Sequence, residues 1–530
     1  MLSKLKSIPR IYRTVKHLKP IQILYQVKNR LWKSGSLKQF RLPLTSNPSN
    51  LLYFELPDQR NVLTIEEDYY IFDLLNLKNK YSKEIDWNDQ SNGKLWNYNM
   101  QYCDFLRQNN LKIEKRAGVL LLLYEKLWKG GVQVEPYPAS LRIMNVIRFL
   151  SQYPEEQPAV IDYLHAEVHY LSKNLEYHLL GNHLLENAFA YLMGAYFFSN
   201  EKWKSEAESL VKREMDEQIL EDGAHFERSP MYHQIMLFRV LEAIAYLPKE
   251  DPLRGFLIAK AENMMAWLST MTFLNGSIPH FNDSTDNIAY TTKNLMQLAT
   301  NIDIQEKSNH YLKDSGYRKF SVGGYEMFID VHGIGPDYQP GHAHADTFTF
   351  FLSMNGRPLI VEPGITTYEI GPSRNWERGT DAHNTVSVQG QNSSETWSGF
   401  RVGRRANVTI SDDKDFLISA YHDGYKHFGI MVHRQFSIDH DRIFIEDYLE
   451  GWDSSMEAVS YLHFHPSAEV RMQDHAVILN GQIEIRFIGS QRLMLENYPY
   501  SNGYNSTEIA QRLRITLLEP SCITQIKPIL

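Results

Sequence analysis

The apolar residues of this 530-residue chain change period near residue 315, so two unlike bodies are expected, one helical and one made of sheets. Up to about residue 312 apolar side chains recur at spacings of three and four. Phe105–Leu127, Leu141–Leu150, Val160–Leu171, His183–Phe198 and Gln234–Leu247 therefore predict one helix after another. Glu135-Pro136-Tyr137-Pro138 and Ser229-Pro230 read as helix boundaries. No fixed repeat length runs through these helices, which argues against a solenoid. Beyond about 316 short runs take over: Tyr325–Val331, Thr347–Leu352, Leu359–Val361, Thr385–Val388, Phe416–Ala420, Ile443–Glu446 and Ile483–Phe487. Asn355-Gly356, Asp423-Gly424 and Asn480-Gly481 are the turns between them. The expected organisation is an arm over 1–65, an all-α body over 66–315, and a sandwich or stack of antiparallel sheets over 316–530.

Charge sets the arm apart. Residues 1–54 hold eleven Lys/Arg and no Asp/Glu, so the net −8 of the whole chain leaves −19 for the remainder. No uninterrupted apolar stretch follows the first lysines, so the pattern is not that of a signal peptide, and a cytoplasmic or inner-membrane peripheral location is expected, with the periplasm left open. Ile11, Tyr12, Val15, Leu18, Ile21, Leu24, Val27 and Leu31 predict an amphipathic helical segment, broken or started at Pro20. Such a segment packs on the body or rests on an anionic membrane surface. Nothing in the composition suggests a nucleic-acid partner, and no run of eighteen apolar residues exists to span a bilayer. The two cysteines, Cys103 and Cys522, are too few for a disulfide framework, so any metal would rely on His and carboxylate ligands. Thirty-one tyrosines and nine tryptophans fill cores or line ligand clefts.

Three places carry chemistry. Gly181-Asn182-His183 opens an apolar helix, where Asn182 is a natural N-cap and the amide–imidazole pair would also hold an anion. At Arg228-Ser229-Pro230-Met231-Tyr232, Ser229 is the cap and Pro230 the first helical residue. Tyr232 then sits in the first turn, where the helix dipole and Arg228 would favour phenolate. The third is Gly341-His342-Ala343-His344-Ala345-Asp346 with Glu362 and His383. A straight strand puts His342, His344 and Asp346 on one face, and a hairpin at Asn355-Gly356 puts Glu362 opposite Thr349. His344 and Glu362 would then lie about 16 Å apart, too far to share a metal. A His344/Glu362/His383 site therefore needs this segment to leave the strand, or the hairpin to take another register. A network of hydrogen-bonded histidines and carboxylates without metal is the alternative.

Taken together, Asn182-His183-Leu184-Leu185-Glu186-Asn187, Arg228-Ser229-Pro230-Met231-Tyr232-His233, Gly341-His342-Ala343-His344-Ala345-Asp346 and Ala382-His383-Asn384-Thr385 resemble the heparinase II/III family of polysaccharide lyases. Leu95-Trp96-Asn97-Tyr98-Asn99 and Tyr137-Pro138-Ala139-Ser140-Leu141-Arg142 extend the resemblance, which covers roughly residues 80–400. It implies an incomplete (α/α) toroid followed by an antiparallel β-sandwich. The implied reaction is β-elimination at a uronic acid, leaving a 4,5-unsaturated sugar. Asn182 and His183 would hold the uronate carboxylate, and Tyr232 and His342 would exchange protons with the sugar. His344, Glu362 and His383 would bind a metal, Zn²⁺ or another divalent ion, with Glu362 standing where the family usually has aspartate. Tyr368, Arg374, Arg378 and Arg228 would contact an anionic polysaccharide or oligosaccharide. The Arg10–Trp32 opening looks like the branch found beside bacterial capsule and O-antigen proteins, which implies a bacterial surface glycan or exopolysaccharide. The rivals are a glycoside hydrolase using Asp222 and Glu227, and a glycan-binding assembly protein without turnover.

Overall fold

The structure is a computed structural model. It describes residues 2–31, 35–44, 48–49, 51, 56, 60–67, 69–154, 158–307, 311–489 and 491–529. Trp32, the end of the expected arm segment, lies outside the described residues.

Twelve α-helices are present among the described residues. Two belong to the arm, α1 (Leu2–Val15) and α2 (Pro20–Leu31). Nine build the helical body: α3 (Lys94–Gln101), α4 (Ile113–Lys129), α5 (Pro136–Gln152), α6 (Pro158–Lys173), α7 (Gly181–Phe197), α8 (Glu201–Gln218), α9 (Pro230–Tyr246), α10 (Pro252–Thr270) and α11 (Thr292–Asn301). The last, α12 (Pro372–Glu377), is a short helix among the strands. α7 and α9 are apolar nearly all round and correspondingly buried, α7 between α5 and α8, α9 against α10. Their N-terminal ends open on one cleft, which is what brings Asn182 and Tyr232 to the same place.

Two stretches depart from the helical expectation. Leu63–Glu66, Tyr69–Leu74 and Leu77–Ser82 form a three-stranded antiparallel sheet. Its tight turn uses Leu75 and Asn76 at φ 51° and 63°, the double left-handed conformation that a two-residue hairpin demands. Phe105–Leu127 is not one helix: a 3₁₀ turn (Asp104–Arg107) and the polar run Gln108-Asn109-Asn110 precede α4.

From Tyr317 onward the chain is antiparallel sheet. Tyr317–Val322, Tyr325–Asp330, Phe350–Met354 and Arg357–Ile360 make a four-stranded meander. An eight-stranded sheet and a second four-stranded sheet follow and share one apolar core with it. Phe350 of the meander meets Phe436 of the large sheet edge to face, ring centroids 5.7 Å apart. The strand expected from Thr347 begins only at Phe350, and the long excursion from Asp330 to Phe350 is irregular. Residues 341–346 lie in that excursion, so the straight-strand geometry that separates His344 from Glu362 does not arise. The register also slips between Leu352 and Ser353.

Candidate active site

The cleft has a volume of 1490 Å³ and is lined from three sides: Tyr98, Tyr137 and His183 of the helical body, His342 and Tyr368 of the sheet body, and one face of α1–α2. His183 and Tyr232 line it from the two helix starts, and Asn182 lies buried just behind.

Asn182 is not an N-cap. The cap position belongs to Leu180, which makes no side-chain cap bond, and Asn182 is the second helical residue. Its backbone N–H donates to Glu227 Oε1 at 2.9 Å and its Nδ2 to Glu227 Oε2 at 2.8 Å. A carboxylate brought from 45 residues away thus occupies the positive end of α7. Gly181 makes this approach possible: it sits at φ 57°, and a Cβ there would come within 2.4 Å of Glu227 Oε1. Asn182 Oδ1 is buried without a partner.

His342 faces this pair. Its Nε2 is 3.2 Å from Asn182 Nδ2 and 3.8 Å from Glu227 Oε2, while its Nδ1 bonds Asp283 Oδ2 at 2.7 Å. The Asp283 contact fixes the proton on Nδ1 and leaves Nε2 as the basic nitrogen. Asp283 is fully buried, and its other oxygen takes His344 Nε2 at 2.8 Å. Arg374 donates to both oxygens. Burial alone would raise the Asp283 carboxyl, but Arg374 and the two imidazoles outweigh it and hold it well below the usual carboxylate range. Asn282 and Asp283 also pin the histidine segment through its backbone, by Asp283 N–H to His342 O at 3.1 Å and His344 N–H to Asn282 Oδ1 at 3.0 Å.

Tyr232 follows the expected cap: Ser229 Oγ accepts from its backbone N–H at 3.2 Å, with Pro230 opening α9. The Tyr232 and His342 rings lie 4.1 Å apart, and the Tyr232 hydroxyl is 3.0 Å from that of Tyr368. The expected phenolate does not arise. Burial, with Tyr504 and Tyr137 adding to it, pushes the phenol well above its ordinary value. Arg228 does not oppose this, because its left-handed backbone (φ 57°) sends the guanidinium to the Gly333 carbonyl. His183 lines the cleft against Tyr137, with its Nδ1 3.3 Å from Glu176 Oε1. Burial lowers its pKa, but Glu176 overcomes this and lifts it above the ordinary histidine value.

Behind this edge lies a second histidine pocket. The His344 and His383 rings are 5.3 Å apart, and Glu362 bonds His383 Nδ1 and Thr349 Oγ1. Asn384 adds its N–H and Nδ2 to Glu362, each at 3.2 Å. Three buried atoms here have no partner: His344 Nδ1, His383 Nε2 and Asp346 Oδ2. Burial holds His344 down at about 3 and pushes the Asp346 carboxyl up to about 6. Among the described residues no three His, Cys, Asp or Glu side chains already stand at metal-ligand spacing.

Of the four residues expected on substrate, Tyr368 alone lines the cleft. Arg374 is buried on Asp283. Arg378 is buried and donates to the carbonyls of Ala343 and Gly399. Arg228 turns away, as described. The cations that do line the cleft are others, among them Arg60, Lys94, Arg401 and Arg405. The hydrolase pair is not assembled either: Asp222 accepts from Ser315 N–H and Oγ, both at 2.7 Å, and is not part of the cleft wall, while Glu227 is bound to Asn182. Asp283 and Glu227 are the residues that sequence reasoning missed or misassigned. The only sequence trace of Asp283 is a polar Asn282-Asp283-Ser284 run between two helices, the ordinary composition of a loop.

A helical toroid opening into stacked antiparallel sheets is also the fold of a solved structure described as heparinase III. The two superpose with a TM-score of 0.65 at 17% identity, over 98% of this chain and 94% of that one. Residues 149–309 match the family described as heparinase II/III N-terminus and residues 305–527 the one described as heparinase II/III-like, C-terminal. The chain belongs to the heparinase II/III family. It is 26% identical over 346 residues to a heparin-sulfate lyase of Pedobacter heparinus, covering 57% of this chain and 49% of that protein. A heparin-sulfate lyase of Bacteroides stercoris is 24% identical over 384 residues, 64% of this chain and 54% of that protein. The chain spans about half the length of the curated relatives it matches.

Proposed function

We propose that this protein is a polysaccharide lyase that cleaves a uronic-acid-containing glycan by β-elimination. The observation that carries the reading is His342 at the cleft wall, its Nδ1 held by Asp283, its Nε2 beside Asn182 and the Tyr232 ring 4.1 Å away. The C5 proton of a uronate is weakly acidic while the carboxylate keeps its charge, so the site has to offset that charge and remove the proton. His183, whose pKa is lifted by Glu176, supplies positive charge at the wall. His342 Nε2 takes the C5 proton. Tyr232, kept neutral by burial, gives its proton to the departing O4 and recovers one through the Tyr368 hydroxyl. Asn182 orients His342 and Glu227 from behind the cleft wall. The names of the relatives favour a glycosaminoglycan, and the capsule-like opening of the chain favours a bacterial surface glycan, so both belong in one substrate panel.

In the inner pocket His344, Glu362 and His383 would hold a divalent ion: His344 Nδ1 and His383 Nε2 are buried and unpartnered there, and Glu362 would exchange its bond to His383 for the ion. Such an ion would organise the wall behind His342. Metal analysis of the purified protein tests this part: an equivalent of Zn²⁺ or another divalent ion, lost in His383→Ala, is expected, and metal-free protein with full activity refutes it. The lyase reading is tested by incubating uronate glycans with the protein and following ultraviolet absorbance from the new conjugated double bond. Chain cleavage without that absorbance would make the protein a hydrolase. Binding without any cleavage across the panel would leave only a binding role.

A further inference from the structure

The arm has three faces, and the cleft uses only one. α1 and α2 are seated by their polar edge across both bodies. Arg10 and Arg13 bond Glu395, Trp397 Nε1 donates to Thr14 Oγ1 at 3.2 Å, and Gln22 Nε2 donates to the carbonyls of Leu179 and Tyr338 at 3.2 and 3.1 Å. A second face, with Ile11, Thr14, Leu18, Gln22, Gln26 and Arg30, lines the cleft. The third faces solvent and is apolar: Ile8, Tyr12, Ile23, Leu24, Val27 and Leu31 are between 45 and 70% exposed. Ile8 and Tyr12 are four apart in α1, and in α2 Leu24, Val27 and Leu31 follow at three and four with Ile23 four before Val27, so each set lies on one side of its helix. Of the 25 large apolar side chains exposed among the described residues, these six fall on this one short stripe. That density marks a surface built to be covered.

Charge selects the occupant. Lys16 and Lys28 flank the stripe in solvent, and residues 1–54 carry eleven cations and no anion on a chain that is otherwise strongly acidic. An apolar stripe bordered by lysines matches the headgroup region of an anionic bilayer, with the apolar side chains at the acyl boundary and the ammonium groups among the phosphates. No helix among the described residues is long and apolar enough to cross a membrane, so the pair would lie on the surface. We propose that the outward face of α1–α2 docks the protein on an anionic lipid bilayer and so holds the cleft, which the same helices wall, next to that surface. This is independent of the lyase reading, since the stripe shares no residue with the catalytic edge.

The test is co-sedimentation of the full chain with vesicles of phosphatidylcholine alone and of phosphatidylcholine with phosphatidylglycerol, for the wild type and for Tyr12→Glu/Leu24→Glu/Leu31→Glu. None of the three positions lines the cleft, so circular dichroism and turnover of a soluble glycan should be unchanged. The expected result is binding only to the anionic vesicles, weakened by high salt and reduced at least about tenfold in the triple variant. Failure to bind anionic vesicles, or binding that the triple variant leaves intact, overturns the proposal. Light scattering supplies the remaining outcome: a wild-type dimer that becomes monomeric in the variant would assign the stripe to a second copy of the chain, and overturn it equally.

Discussion

His342 and His344 are two residues apart on one loop and bonded to opposite oxygens of one carboxylate, yet they sit in different chemical worlds. The first keeps its Nε2 at the edge of the cleft, beside Asn182 and Tyr232. The second is sealed behind it, its free Nδ1 turned into a pocket with His383 and Asp346. The contrast teaches that imidazole and carboxylate content does not define a site; what each nitrogen is left free to face does.

The sharpest way to break this contrast is to exchange the two losses. His342→Ala should lower kcat about 10³-fold with glycan binding retained, whereas His344→Ala should lose stability first. Product absorbance and calorimetric binding would measure both, and equal kcat losses in two well-folded variants would erase the division. Asp283→Asn should strike both sides together. It leaves Arg374 buried without its anion, for about 3–5 kcal/mol of stability by denaturant titration, and it frees both imidazoles from their fixed tautomers. His383→Ala reaches only the inner pocket and should cost roughly tenfold in kcat, with a lower melting temperature. The smallest effect concerns acid. Burial holds His225 at about 4, and His233 and His422 at about 3, against 6.5 for a free histidine. Below pH 6.5 the unfolded chain takes up protons that the folded one refuses, so stability is full above that pH and declines as pH falls toward 4. Melting temperatures at pH 7.5, 6 and 5 should step downward, and a flat profile would show that these imidazoles are solvated.

The sequence reveals the parts that depend on local pattern. The change of period separates helices from strands, Ser229-Pro230 announces the start of α9, and His342, Asn182 and Tyr232 stand out by motif. What it hides depends on distance along the chain. Asp283 meets His342 across 59 residues and Arg374 across 91, and no spacing rule links such partners. The same blindness explains the arginines: Arg374 and Arg378 look like cleft cations, but a buried carboxylate and a set of carbonyls claim them. Asn182 looks like a cap because the rule is local, and the anion at its helix start comes instead from Glu227. The hairpin at Leu75-Asn76 is missed because neither residue is glycine, although asparagine tolerates the left-handed region.

One carboxylate serving two imidazoles also limits redesign. Anyone reshaping this cleft for a different ligand cannot retune the outer histidine through its anchor, because every change at 283 is transmitted inward at the same moment. The positions free to vary are the walls that touch neither histidine, such as Arg60, Lys94 and Arg401. Substitutions can be made there while the shared carboxylate and its two imidazoles are left alone.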